Sequence, residues 1–148
     1  MKTKYFGMVK VPEERIITFP SGLFGFEKQT RYVLLGFAED HLDTGDDWLL
    51  CLQSAEDPEL ALMVLNPYYI CADYNPYQMP EKHLSEIKLG QETKHTVCCI
   101  AVIRDKFEES TVNLKCPIIF NLENRLAKQF ILEDSDYSMR QPMVPKEG

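Results

Sequence analysis

The sequence predicts an all-β protein: a small antiparallel β-barrel-like domain capped by one short helix. Three observations predict it. Short apolar or alternating runs recur along the chain and are separated by turn residues. The run at residues 96–103, TVCCIAVI, is almost wholly apolar and rich in β-branched side chains, the pattern of a strand buried on both faces. Only one segment, after Pro80, has helical spacing, and many short strands with a lone helix argue for a barrel or sandwich.

In chain order, residues 5–11 and 15–19 read as two short strands separated by Pro12, Glu13 and Glu14. Pro20-Ser21-Gly22 is a turn signal. The segment GLFGFE follows, with Phe24 and Phe26 set among glycines three positions apart. Both rings are hard to bury in so short a turn. Either one plugs the core while the other is a surface anchor, or both pack against the barrel end. Residues 31–37 are a strongly apolar strand, and residues 38–47, with Glu39, Asp40, Asp43, Asp46 and Asp47, read as a solvated loop. Residues 48–53 and 60–65 are the next strands, joined by Ser54-Ala55-Glu56-Asp57-Pro58.

Residues 66–80 hold three prolines and four tyrosines (Tyr68, Tyr69, Tyr74, Tyr77), a density that needs something to pack on, so the loop should be ordered. Pro80 suits the first turn of a helix whose Leu84, Ile87 and Leu89 fall along one side. So short a helix must be held by tertiary packing. In the segment STVNLKCPIIFN at 110–121, Val112, Leu114 and Cys116 share one face and Thr111, Asn113 and Lys115 the other. Pro117 has no N–H for the ladder, so this reads as two strand pieces bent at a proline. Residues 128–132 are the last strand. From Glu133 the chain turns polar, with Pro142 and Pro145. The expected organisation is one domain over 1–137 and a flexible tail over 138–148.

Composition narrows the function classes. The net charge is −7 with a pI near 5.0, and no basic stripe exists, which disfavours direct nucleic-acid binding. An acidic surface favours encounter with a basic protein. No apolar run approaches the roughly 20 residues a membrane helix needs. The start, MKTKYFGMVK, lacks the apolar stretch of a signal peptide, so a cytoplasmic location is expected. Five cysteines, at 51, 71, 98, 99 and 116, are odd in number and show no C-x-x-C spacing. They fit small buried hydrophobes in a reducing compartment rather than a disulfide framework or zinc site, with Cys98 and Cys99 on opposite faces of their strand.

No catalytic constellation is visible. His41, His83 and His95 are far apart and lack ligand spacing, Ser21 is not in a G-x-S-x-G context, and no phosphate loop occurs. The paired acids Asp46-Asp47 and Glu108-Glu109 lie in loop segments. No cofactor, metal or enzymatic activity is expected, which leaves recognition. Gln53 either satisfies a buried backbone group or meets a partner, and Asn113 either bonds a partner's backbone or stabilises its own turn. The alternative is a small-molecule or enzyme site lined by Tyr68, Tyr69, Tyr74 and Tyr77.

Three blocks then fit together: FPSGLFGFE at 19–27, CLQSAEDPELALMVLNPY at 51–68 and STVNLKCPIIFNLENRLAKQFILED at 110–134. With the strands between them they resemble the FliW family of flagellar assembly factors, over about residues 6–137. One departure is Cys116, where the family more often has alanine; the exchange is small and apolar and should leave the bend intact. The resemblance implies a monomeric cytoplasmic β-barrel-like domain without enzymatic activity. It further implies binding to newly made flagellin near its C-terminal region, and to the RNA-binding translational regulator CsrA, whose repression it relieves. The candidate partner contacts are Phe24, Phe26, Gln53, Asp57, Tyr74, Asn113 and Asn121.

Overall fold

The computed structural model describes residues 1–38, 41 and 47–144. The acidic positions Glu39, Asp40, Asp43 and Asp46 therefore lie outside the described residues, as does Pro145. The strands are β1 (Ile17–Thr18), β2 (Arg31–Leu35), β3 (Leu49–Ser54), β4 (Ala61–Leu65), β5 (His95–Val102), β6 (Thr111–Val112), β7 (Ile118–Asn121), β8 (Leu126–Gln129) and β9 (Gln141–Pro142). The helix α1 covers Glu81–Ser85.

Strands β4-β3-β2-β1-β8-β7-β5 lie side by side in that order, and β5 pairs with β4, so these seven strands close into a barrel. Closure removes the free edges that an open sheet exposes. Neighbours are antiparallel except β1 and β8, which meet in parallel through Thr18 and Leu126. β6 and β9 branch from the barrel, β6 on the C-terminal end of β5 and β9 on β6.

The run at 111–121 is two strand pieces, but the first ends at Val112 and not at the proline, so the expected strand over 113–116 is corrected to an irregular segment. Val112 pairs with Ala101 and Ile118 with Cys98, so residues 113–117 stand opposite only Cys99 and Ile100 of β5. The excess chain bulges, which is how a strand is re-aimed. The Asn113 side-chain oxygen holds the bulge by accepting the N–H groups of Lys115 and Cys116 at 3.1 and 3.0 Å.

Strand alternation divides the apolar residues between the barrel interior and two outer layers. Inside lie Ile17, Phe19, Leu23, Tyr32, Leu34, Leu50, Leu52, Val64, Cys98, Ile118, Phe120 and Ala127. Phe19 meets Tyr32 and Phe120 edge to face, with ring centroids 5.0 and 5.8 Å apart. On the outside of β5 and β7, Val97, Cys99 and Ile119 pack with Tyr74, Ile87, Phe130, Leu132 and Met143. Cys98 and Cys99 thus face opposite ways, as expected of adjacent strand residues. Outside β2, β3 and β4, Val33, Leu35, Cys51 and Ala61 are covered by the N-terminal segment through Val9, Phe6 and Val11. These two coverings explain why antiparallel strands here read as continuous apolar runs: each has protein on both faces.

Four further expectations are corrected. Residues 5–11 form no extended strand. Thr3 and Gly7 bond across a tight turn, Gly7 has φ +66°, and only a single bridge joins Lys2 and Met8. Residues 138–148 are not wholly a tail: Gln141–Pro142 is strand β9, Leu114 N–H bonds the Ser138 carbonyl, and Met143 is buried. The short strand finds backbone partners on β6, and Met143 finds an apolar slot; composition shows neither. The run at 96–103 is buried on both faces only in part, because Val102 and Ile103 pass beyond the barrel wall and are exposed. The segment expected as a strand at 128–132 begins earlier, at Leu126.

Candidate docking surface

The GLFGFE segment is shaped by its glycines. Gly22 and Gly25 have φ +65° and +89°, a region that side chains with a Cβ avoid. At Gly22 a Cβ would also lie 2.6 Å from the Glu27 Cα, so the chain passes too close to itself for any larger residue. Gly22 N–H bonds the Phe19 carbonyl and Phe26 N–H the Leu23 carbonyl, which closes two consecutive tight turns. The Glu27 carboxylate accepts the Gly25 N–H, and its pKa is lowered by its own amide and that of Gly25. Leu23, not either phenylalanine, is the plug: it is 1% exposed inside the barrel, whereas Phe24 and Phe26 are 49% and 41% exposed. The expectation that one ring is buried, and the alternative that both pack on the barrel end, are both corrected. So tight a turn aims one apolar side chain inward and leaves the next two outside.

Phe24 stands at the mouth of a groove of about 400 Å³. Met79, Phe130 and Ile131 supply apolar lining, and Glu86, Lys128, Glu133 and Asp134 supply charged lining. Lys128 forms an ion pair with Glu86, which lowers the Glu86 pKa. His83 stacks on Phe130. Beneath the groove, buried Gln129 accepts the Phe24 N–H at 2.9 Å and donates to the Cys116 carbonyl at 3.4 Å. Sequence reasoning missed Gln129 and Ile131. The first looks like an ordinary polar strand residue, and the second's 45% exposure follows only from the path of its neighbours.

The remaining candidates do not gather there. Gln53 is fully buried; its oxygen accepts the Lys4 N–H at 3.0 Å, and its amide nitrogen lies 3.0 Å from the Ser54 carbonyl and 3.2 Å from that of Leu60. It holds the N-terminal segment and the 54–60 turn to the barrel and is unavailable for direct contact. Tyr74 is 4% exposed, and its hydroxyl donates to the Leu114 carbonyl at 2.6 Å. Asn121 is 2% exposed; it donates to the Ile87 carbonyl at 2.8 Å and so ties the end of the α1 region to β7. Gln53 thus takes the structural of its two readings, while Tyr74 and Asn121 are corrected from surface contacts to internal fastenings, since buried polar side chains are as a rule hydrogen-bonded. Asp57 remains half-buried and accepts the Glu59 N–H at 2.9 Å. Asn113, through its turn bonds, takes the structural alternative, though it lines a second groove with Val102, Arg104, Met139 and Arg140.

Of the four tyrosines, Tyr68 meets Tyr74 edge to face with ring centroids 6.0 Å apart and shares a side-chain hydrogen bond with Tyr77. Tyr77 lines a groove of about 690 Å³ with His95, and its hydroxyl lies 2.5 Å from His95 Nε2. The His95 Nδ1 faces the Thr93 carbonyl at 2.9 Å, which leaves Nε2 to accept from Tyr77. Tyr74 is in the core, and Tyr69 packs towards Trp48. Among the described residues no group of three or more His, Cys, Asp or Glu side chains is placed to hold a metal ion, and no helix is long and apolar enough to cross a membrane.

A closed seven-stranded barrel with outer coverings and an aromatic-rimmed surface groove defines a class of small β-barrel proteins. The chain belongs to the FliW family: the model of that family, described as FliW protein, matches residues 1–143. It is 35% identical over 143 residues to a flagellar assembly factor FliW of Bacillus licheniformis, covering 97% of this chain and 95% of the relative. It is 38% identical over 140 residues to that of Thermotoga sp. strain RQ2, covering 94% and 89%. The FliW of Bacillus subtilis strain 168 is 33% identical over 141 residues, covering 95% and 94%. A crystal structure of the flagellar assembly factor FliW superposes with a TM-score of 0.88 at 26% identity, over 100% of this chain and 99% of that one.

Proposed function

We propose that this protein is a non-catalytic docking factor of the cytoplasm that binds flagellin near its C-terminal region and antagonises the translational regulator CsrA. Flagellin synthesis would then follow export: flagellin occupies the protein while it accumulates, and its departure frees the protein to restrain CsrA. The observation that carries the reading is the groove rimmed by Phe24 and Ile131, which leaves apolar side chains uncovered on a chain whose relatives are named flagellar assembly factors. Exposed aromatics of this kind anchor protein interfaces. The net charge of −7 suits a basic RNA-binding partner, because complementary fields speed encounter. Calorimetry of the purified chain with flagellin and, separately, with CsrA tests the proposal. Binding of each at micromolar concentration is expected, and binding of neither overturns it.

A further inference from the structure

β1 leaves β8 after one pairing, Thr18 beside Leu126, with Thr18 N–H bonding the Arg125 carbonyl. In a parallel ladder the next donor on that strand is residue 20, and Pro20 has no N–H. The chain turns away there, and Gly22 N–H bonds the Phe19 carbonyl instead. β8 meanwhile continues along its other edge. Phe130 N–H donates to the Pro117 carbonyl at 2.9 Å and Leu132 N–H to the Lys115 carbonyl at 2.8 Å.

Alternate residues of an antiparallel strand bond to opposite edges. The backbone groups of Gln129 and Ile131 therefore face the edge that β1 has left. Among the described residues the N–H and C=O of Ile131 have no backbone or side-chain partner. This short open edge lies along the Phe24 groove. Exposed Glu133 and Asp134 mark its far end and belong to no ion pair among the described residues, while Lys82 stands on the wall formed by α1.

We propose that an extended segment of a partner protein adds here as a strand, antiparallel to residues 129–131. Its alternate apolar side chains enter the groove beside Phe24, and a lysine or arginine at its N-terminal end meets Glu133 and Asp134. Antiparallel addition places the incoming N-terminus beside that acidic end. Main-chain bonds supply the affinity of strand addition, and side-chain pockets supply its selectivity. The inference rests on the reading of the molecule as a docking protein and adds the edge, the direction and the charge order of the occupant.

The test uses the full chain and a synthetic peptide of about seven residues, lysine followed by alternating leucine and threonine. One control is N-methylated at alternate residues, and another carries glutamate for the lysine. Binding of the first peptide is expected to slow amide exchange at Ile131 about tenfold or more, with about tenfold weaker binding by each control. Absence of binding, unchanged exchange at Ile131, or equal binding by the methylated peptide overturns the proposal. So does equal binding by an Ile131→Pro variant, which removes the outward N–H and leaves the bonds to residues 115 and 117 in place. Protection of Ile131 that grows with protein concentration alone would assign the edge to a second copy of the chain and also overturn it. The docking reading fails separately, if neither flagellin nor CsrA binds the wild-type chain.

Discussion

The Phe24 amide donates to the side-chain oxygen of Gln129 at 2.9 Å, across 105 residues of sequence. One buried carboxamide thus fastens the glycine loop to the end of β8 and, through its nitrogen, to the bend at Cys116. Gln129→Leu leaves the Phe24 N–H and the Cys116 carbonyl without this partner. A loss of about 1–3 kcal/mol in urea unfolding is expected, the cost of stranding buried polar groups.

Phe24→Ala separates recognition from stability. The ring is half exposed, so stability should stay within about 0.5 kcal/mol of wild type. Under the proposed function, flagellin affinity should fall by at least about 1 kcal/mol. A stability loss as large as the affinity loss would place the ring in the fold. Asn113→Ala should behave oppositely, lowering the unfolding midpoint because its oxygen caps Lys115 and Cys116.

The Tyr32 hydroxyl is buried inside the barrel without a hydrogen-bond partner among the described residues, and burial with the nearby Glu56 charge pushes its pKa up to about 12. Tyr32→Phe keeps the ring that packs on Phe19 and removes the orphaned oxygen. Its unfolding free energy should equal or exceed that of wild type, by up to about 1 kcal/mol. A clear loss would reveal a bond to that hydroxyl.

Glu56 accepts the N–H groups of Thr30 and Arg31 at 2.6 and 2.9 Å, which hold its pKa below the ordinary 4.5. The folded state therefore favours the carboxylate. The stability this contributes is fully present above pH 4.5 and is lost as pH falls through the lower folded value. Glu56→Gln should flatten that acid limb in unfolding experiments below pH 4.5, and carboxyl titration by NMR should show the depressed midpoint directly.

Burial pushes the Cys51 and Cys99 thiols up to about 11 and 12. Both are therefore protonated at neutral pH, and a thiol reagent should label half-buried Cys71 first and these two only on unfolding. Their stabilising effect is present below the unfolded value of 9.0 and declines as pH rises towards the folded values. Stability should fall above pH 9 and fall less in Cys51→Ala, once the cost of the lost packing is subtracted.

What the sequence determined by itself was local. The alternating pattern put Val112 and Leu114 on the buried side, Cys98 and Cys99 were sent to opposite faces, and the helix began after Pro80. Each follows from backbone geometry within a few residues. Tertiary structure decided what depends on distant partners. It put Leu23 rather than a phenylalanine in the barrel, turned Gln53, Tyr74 and Asn121 into internal fastenings, and drew Gln141–Pro142 into the sheet. A polar side chain reads the same in sequence whether it faces water or a buried carbonyl. Only the path of the remote chain sets which it meets, and that path left Phe24 and Ile131 uncovered along the open edge of β8.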